Sequence, residues 1–211
     1  MILYIIIIFL TVILLLSNNN RSSYYSEKPQ VLENFLSLEE IEHVKKSCNN
    51  FQKSGTVGNR DGYRNSETCW LHKGTDPVID QIIRRGADIA QLPLENCEDL
   101  QVVKYSSGGF FKEHNDSCFE NSEDCKTFRS RGGHRLATIL ISLCDKNDYE
   151  GGETRFSILD KNYKLDKGNA VLFYNLDEQG KELKNSTHGG LEINSGEKWI
   201  ANIWIRESIF I

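Results

Sequence analysis

Apolar residues recur at helical spacing in the first part of the globular region and at alternating spacing in the rest. In VLENFLSLEEIEHVKKSC, Ser37 and Glu40 stand at the spacing of a reciprocal N-terminal cap, Ile41 and Val44 share one face, and Lys45 and Lys46 fall near the end. That pattern predicts a helix. TDPVIDQIIRRGADIAQL repeats the logic, with Asp76 as the cap, Pro77 at the first helical position, and Val78, Ile79, Ile82 and Ile83 as the apolar stripe. From residue 100 the chain turns to short β-type runs: LQVVKY, GGFFKEHND, RLATILISLC, ETRFSI, NAVLFYN, NSTHGGLEI and KWIANIWIRE. Clusters of Gly, Asn and Asp bound them. Helices followed by strands predict an α+β fold, a double-stranded β-helix (jelly roll) with N-terminal helices packed on one sheet. The stretch 117–133, acidic and then basic, is long for a hairpin turn and predicts a mobile lid.

The first sixteen residues, MILYIIIIFLTVILLL, carry no charge, and the polar SNNNRSSYYSEKPQ follows. As a helix this run spans roughly 24 Å at about 1.5 Å per residue, close to the thickness of a bilayer core. It lacks the basic start and small-residue cleavage site of a secretory signal, which favours an uncleaved anchor. The expected organisation is a membrane anchor or signal segment over 1–20, a linker over 21–30 and one globular domain over 31–211. The anchor would hold that domain on a membrane, with the endoplasmic reticulum as the expected compartment.

The net charge of −5 gives no general attraction to a polyanion, so no nucleic-acid partner is expected. Six cysteines suit an oxidising compartment, and Cys118 and Cys125 are spaced to close a short loop; free thiols in a reducing compartment are the alternative. Two glycosylation sequons, at Asn115 and Asn185, adjoin the residues singled out next, which favours a cytosolic-facing domain or sequons that go unused.

In a strand, residues i and i+2 share a face, so His114 and Asp116 can present an imidazole and a carboxylate side by side. Alone, such a pair is commonly a surface accident. A second histidine, His188, lies in another strand-like run. Two histidines and a carboxylate on one face of a metal leave the opposite positions open, as in non-haem Fe(II) oxygenases. Ten residues beyond His188, Lys198 falls in phase with Ile200, Asn202 and Trp204 on a mostly apolar face. A cation there is costly unless an anion meets it, although a lysine at a strand start can also snorkel to solvent. Together these residues describe a pocket for a dicarboxylate that meets iron at one end and a lysine at the other.

With YRNSE, LQVVKYSSGGFFKEHND, HRLATILISLCDKNDYEGGETRF, KGNAVLFYN and STHGGLEINSGEKWIANIWIRE in this order, the chain resembles the collagen-type prolyl 4-hydroxylases, Fe(II)- and 2-oxoglutarate-dependent dioxygenases, from about residue 31 to 206. The resemblance implies His114, Asp116 and His188 as iron ligands, and Lys198, aided by Tyr105 and Thr138, as the site of the distal carboxylate of 2-oxoglutarate. It implies Arg64, Ser66, Phe111, Trp204 and Arg206 along a peptide groove, with Phe111 standing where the family usually has tyrosine. The implied reaction hydroxylates a proline-containing peptide in polyproline II form, consuming O2, releasing succinate and CO2, and using ascorbate to rescue oxidised iron. Two alternatives remain: an oxygenase of the same fold acting on another residue or small molecule, and a non-catalytic jelly-roll binding module.

Overall fold

The computed structural model describes residues 26–58 and 61–211. The anchor or signal segment expected over residues 1–20 lies outside the described residues, as do residues 21–25 of the linker. Among the described residues, no helix is long and apolar enough to cross a membrane.

In chain order the elements are β1 (Gln30–Leu32), α1 (Leu38–Ser47), β2 (Gln52–Lys53), β3 (Arg64–Asn65), β4 (Glu67–Leu71) and α2 (Pro77–Ala90). They continue with β5 (Leu100–Ser106), β6 (Phe110–His114), α3 (Glu123–Ser130), β7 (Arg135–Ser142), β8 (Tyr149–Gly151) and β9 (Thr154–Phe156). The last are β10 (Lys161–Tyr163), β11 (Ala170–Tyr174), β12 (His188–Gly190) and β13 (Ile193–Arg206).

Helix α1 begins with the reciprocal cap read from the sequence: Glu40 N–H donates to Ser37 Oγ at 3.2 Å and Ser37 N–H to the Glu40 carboxylate at 2.9 Å. Such a cap contributes about 1 kcal/mol. In α2, the Asp76 carboxylate accepts from the N–H groups of Val78 and Ile79, and Pro77 occupies the first turn. The apolar stripes of both helices, including Ile41, Val44, Ile79, Ile82 and Ile83, share one core cluster with Val102, Ile139, Ile141, Ala201 and Ile203 of the sheet. Each fully buried isoleucine contributes roughly 1.5–3 kcal/mol. Arg85 ties the two helices together, with its guanidinium on both oxygens of Glu40 at 2.6 and 3.0 Å.

Two antiparallel sheets form the jelly roll. The larger runs β1-β11-β7-β13-β5-β4-β2, with β8 paired to β13; the smaller runs β10-β9-β12-β6-β3. One face of the larger sheet meets the helices, and the other contributes Val103, Leu140, Val171, Phe173 and Ile200 to a second core with Phe156 of the smaller sheet. The chemistry-bearing residues gather between the sheets.

The stretch 117–133, expected as a mobile lid, is built around a helix. It contains α3, capped by Ser122, whose Oγ accepts from Cys125 N–H at 3.3 Å. A Cys118–Cys125 disulfide closes its start, and Arg129 donates to the carbonyls of Cys118 and Glu120 at 2.6 and 3.2 Å. A covalent loop and a helix cap order what composition alone marks as a loop. A second disulfide, Cys48–Cys69, staples the end of α1 to β4.

Candidate active site

His114 ends β6 and His188 begins β12, and the two are direct partners across the antiparallel ladder. Asp116 follows His114 by two residues, just past the strand end. The donor atoms of His114, Asp116 and His188 all lie within 4.8 Å of one another. Nε2 of His114 is 3.5 Å from Asp116 Oδ1, and Nε2 of His188 is 3.9 Å from Asp116 Oδ2.

Backbone carbonyls fix the tautomers. His114 Nδ1 meets the Lys112 carbonyl and His188 Nδ1 the Ser186 carbonyl, each at 2.8 Å. A carbonyl can only accept, so each Nδ1 carries a proton and each Nε2 is the ring atom left to face the carboxylate. Burial, helped by the neighbouring His114, pulls the His188 pKa down to about 4, so its imidazole is neutral near pH 7. Burial alone would push the Asp116 carboxyl up, but His188, His114 and the Arg135 charge outweigh it and hold it far below the ordinary carboxylate range. A neutral imidazole at His188 and an ionised carboxylate at Asp116 suit a divalent metal, and His114 adds a third donor to the cluster. This donor set fits Fe(II).

The cavity beside this cluster is lined by Tyr105, Leu140, Thr154, Lys198 and Ile200. Lys198 is only 5% exposed; its Nζ donates to the Gly152 carbonyl at 2.6 Å and to Thr154 Oγ1 at 3.3 Å. Gly151 and Gly152 both have positive φ, 71° and 68°, a pair of left-handed residues that glycine adopts without strain and that shapes this turn. Among the described residues no acidic side chain forms a salt bridge with Lys198. Burial lowers its pKa to about 8. A buried cation with no carboxylate partner, in the same cavity as a metal-competent cluster, describes a receptor for a dicarboxylate.

Tyr105 stands opposite Lys198 as its partner across β5 and β13, and lines this cavity. Thr138 is placed differently from the sequence expectation. It is fully buried and donates its hydroxyl to Asp116 Oδ2 at 2.7 Å, while Thr154 stands beside Lys198. Strand phase names the face of β7 but not which hydroxyl reaches which carboxylate; the signal for Thr154 was the GGET turn, which brings its threonine under the lysine.

A groove of about 500 Å³ continues outward from the cluster, lined by Tyr63, Arg64, Trp70, Phe111, Phe128, Arg135 and Trp204 among others. Phe111 stacks on His114 at 3.6 Å between ring centroids, and the Arg64 guanidinium lies 4.6 Å from the Phe111 ring. Ser66 is buried and accepts from Arg64 Nε at 2.7 Å, so it props Arg64. Trp204 lines both the groove and the inner cavity.

Arg206 requires a correction. It does not line the groove: it is 1% exposed, donates to Glu98 at 2.7 Å and to the carbonyls of Phe128 and Gly133 at 2.9 and 2.8 Å. Glu98, itself buried, attracts the guanidinium inward and across to the base of the lid. Arg135, which the sequence reading did not single out, takes the groove position. Glu98 holds it at 2.6 and 2.8 Å, and its guanidinium lies 3.3 Å from the Trp204 ring centroid.

Comparison with known proteins agrees with this geometry. The family model of the 2OG-Fe(II) oxygenase superfamily matches residues 100–206. A protein of Acanthamoeba polyphaga mimivirus assigned to the prolyl 4-hydroxylases is 36% identical over 186 residues, covering 87% of this chain and 76% of the relative. The chain belongs to the prolyl 4-hydroxylases of the 2OG-Fe(II) oxygenase superfamily. Prolyl 4-hydroxylase 1 of Arabidopsis thaliana is 35% identical over 205 residues, covering 87% of this chain and 70% of that protein. Among solved structures, the viral collagen prolyl hydroxylase of Paramecium bursaria Chlorella virus-1 in its 2OG complex superposes with a TM-score of 0.65. It is 30% identical, over 84% of this chain and 94% of that one. As a prolyl 4-hydroxylase of this superfamily, the chain works with Fe(II) and 2-oxoglutarate.

Proposed function

We propose that this prolyl 4-hydroxylase converts peptidyl proline to 4-hydroxyproline, with His114, Asp116 and His188 holding Fe(II) and Lys198 holding the distal carboxylate of 2-oxoglutarate. The observation that carries this reading is the sharing of one cavity by the three-donor cluster and an unpaired buried lysine, with a groove leading out past Phe111. Bound iron supplies the oxidising chemistry, using O2 and 2-oxoglutarate to hydroxylate a C–H bond. The chain's own residues do the rest. Lys198 and Thr154 orient the co-substrate by its remote carboxylate. Phe156 and Phe173 pack on the His188 ring at 5.3 and 4.8 Å, closing the inner side of the cluster to water. Tyr63, Phe111 and Trp204 give the groove the flat apolar walls that suit proline rings, and a preformed polyproline II segment loses little entropy on entering it. Ascorbate serves as the reductant that rescues oxidised iron.

The same proposal places the domain on a membrane through the apolar run of residues 1–16, with the endoplasmic reticulum as the compartment. The Cys48–Cys69 and Cys118–Cys125 disulfides support its lumenal, oxidising side, where the sequons at Asn115 and Asn185 would go unused.

The test is product analysis. Protein incubated with Fe(II), 2-oxoglutarate and poly-proline or Pro-Gly peptides should add one oxygen to a proline, read by fragment mass. Succinate released only with a substrate lacking proline would assign the chain to another oxygenase activity.

A further inference from the structure

Thr138 and Asn175 lie between β7 and the end of β11, are fully buried, and touch neither the groove nor Lys198. Thr138 Oγ1 donates to Asp116 Oδ2 at 2.7 Å, and Asn175 Nδ2 donates to Thr138 Oγ1 at 3.1 Å. The direction of this chain is forced. An ionised carboxylate only accepts, so the single Thr138 proton goes to Asp116 and its lone pair receives the Asn175 amide. Turned the other way, Asn175 would offer its oxygen and compete with Asp116 for that proton.

The orientation has a cost. Asn175 Oδ1 is buried with no hydrogen-bond partner among the described residues, an arrangement that opposes folding. The backbone of Asn175 is clamped, its N–H on the Leu136 carbonyl at 2.9 Å and its own carbonyl receiving Leu183 N–H at 2.9 Å. The fold therefore sustains an orphaned acceptor in order to aim the amide N–H at Thr138.

Building on the proposed iron site, we infer that Asn175 and Thr138 are a positioning relay that makes Asp116 a one-oxygen ligand. With Oδ2 engaged by Thr138, Oδ1 is the oxygen left for the metal. A carboxylate free to turn would bring both oxygens to the ion and take a position that the co-substrate needs. Neither relay residue touches the co-substrate; each acts through Asp116.

Co(II) is the probe, because its visible spectrum reports coordination number in the absence of turnover. Thr138→Val should bind Co(II) with affinity close to that of the parent protein but show the spectrum of a higher coordination number. Its 2-oxoglutarate affinity, titrated by the spectral change, should fall about tenfold or more. Thr138→Ser, which keeps the hydroxyl, should restore both. Should Thr138→Val not fold, Asn175→Ala should shift the Co(II) spectrum in the same direction by a smaller amount. A folded Thr138→Val, or in its absence Asn175→Ala, with unchanged spectrum and 2-oxoglutarate affinity would overturn the relay. A parent protein that binds no Co(II) would instead overturn the metal site on which it rests.

Discussion

His188 and His114 are direct partners across the β12–β6 ladder, with ring centroids 4.4 Å apart and both Nδ1 atoms anchored on backbone carbonyls. Two strands distant in sequence thus deliver two ring nitrogens to one point, and Asp116, just past the end of β6, completes the set. The metal-binding geometry is built into the sheet register rather than into a flexible loop.

Lys198 supplies the opposite pole, and removing its charge should separate co-substrate binding from metal binding. Lys198→Met should raise the KM for 2-oxoglutarate about a hundredfold, the loss expected when one partner of a buried ion pair is removed. Fe(II) affinity, measured by metal titration, should stay within a small factor of the parent value.

The pH dependence of 2-oxoglutarate binding follows from the same residue. Burial places the Lys198 pKa at about 8 before the co-substrate arrives, and the dicarboxylate prefers the charged form. Below that pH the cation is present and KM is flat. As pH rises through it, the free protein loses the proton that binding requires, and KM for 2-oxoglutarate should climb by up to about tenfold per pH unit. A KM that falls or stays level between pH 8 and pH 9 would contradict the assignment.

The lid gives a different signature. Cys118 follows Asp116 by two residues and lines the groove, and its disulfide to Cys125 fixes the start of α3. A Cys118→Ser/Cys125→Ser double variant should raise the peptide KM several-fold while leaving the 2-oxoglutarate KM and the iron content unchanged. Steady-state kinetics with each substrate varied in turn reads this split.

Arg206 should report on stability. Arg206→Leu strips Glu98 of one of its two cations, the buried one, and frees the Phe128 and Gly133 carbonyls. A loss of about 3 kcal/mol is expected, offset in part because Arg135 still pairs Glu98. Thermal unfolding should shift down by roughly 10 °C, and limited proteolysis should cut more readily between residues 117 and 133.

What the sequence makes legible here is local. The Ser37/Glu40 cap and the Asp76-Pro77 start are readable because capping depends on residues within one turn, and each appears with the expected hydrogen bonds. The jelly roll follows from the spacing of strand-like runs. The short strands β1 to β4 are not legible, since two to five residues carry too little alternation, and their pairing depends on partners far along the chain. The exchange of roles between Arg206 and Arg135 is hidden for a related reason: it is set by Glu98, 108 residues away from Arg206, whose burial no local pattern reveals. Helix α3 was readable in principle from Ser122 as a cap, but the polar composition of 117–133 obscured it.

The measurement that bears most directly on the whole account pairs iron content with product in His188→Ala. The parent protein should retain about one Fe(II) per chain and form hydroxyproline in a proline-rich peptide, with 2-oxoglutarate consumed in step. The folded His188→Ala variant, verified by circular dichroism, should lose both together. Retention of iron and of hydroxyproline formation by that variant would contradict the site proposed here.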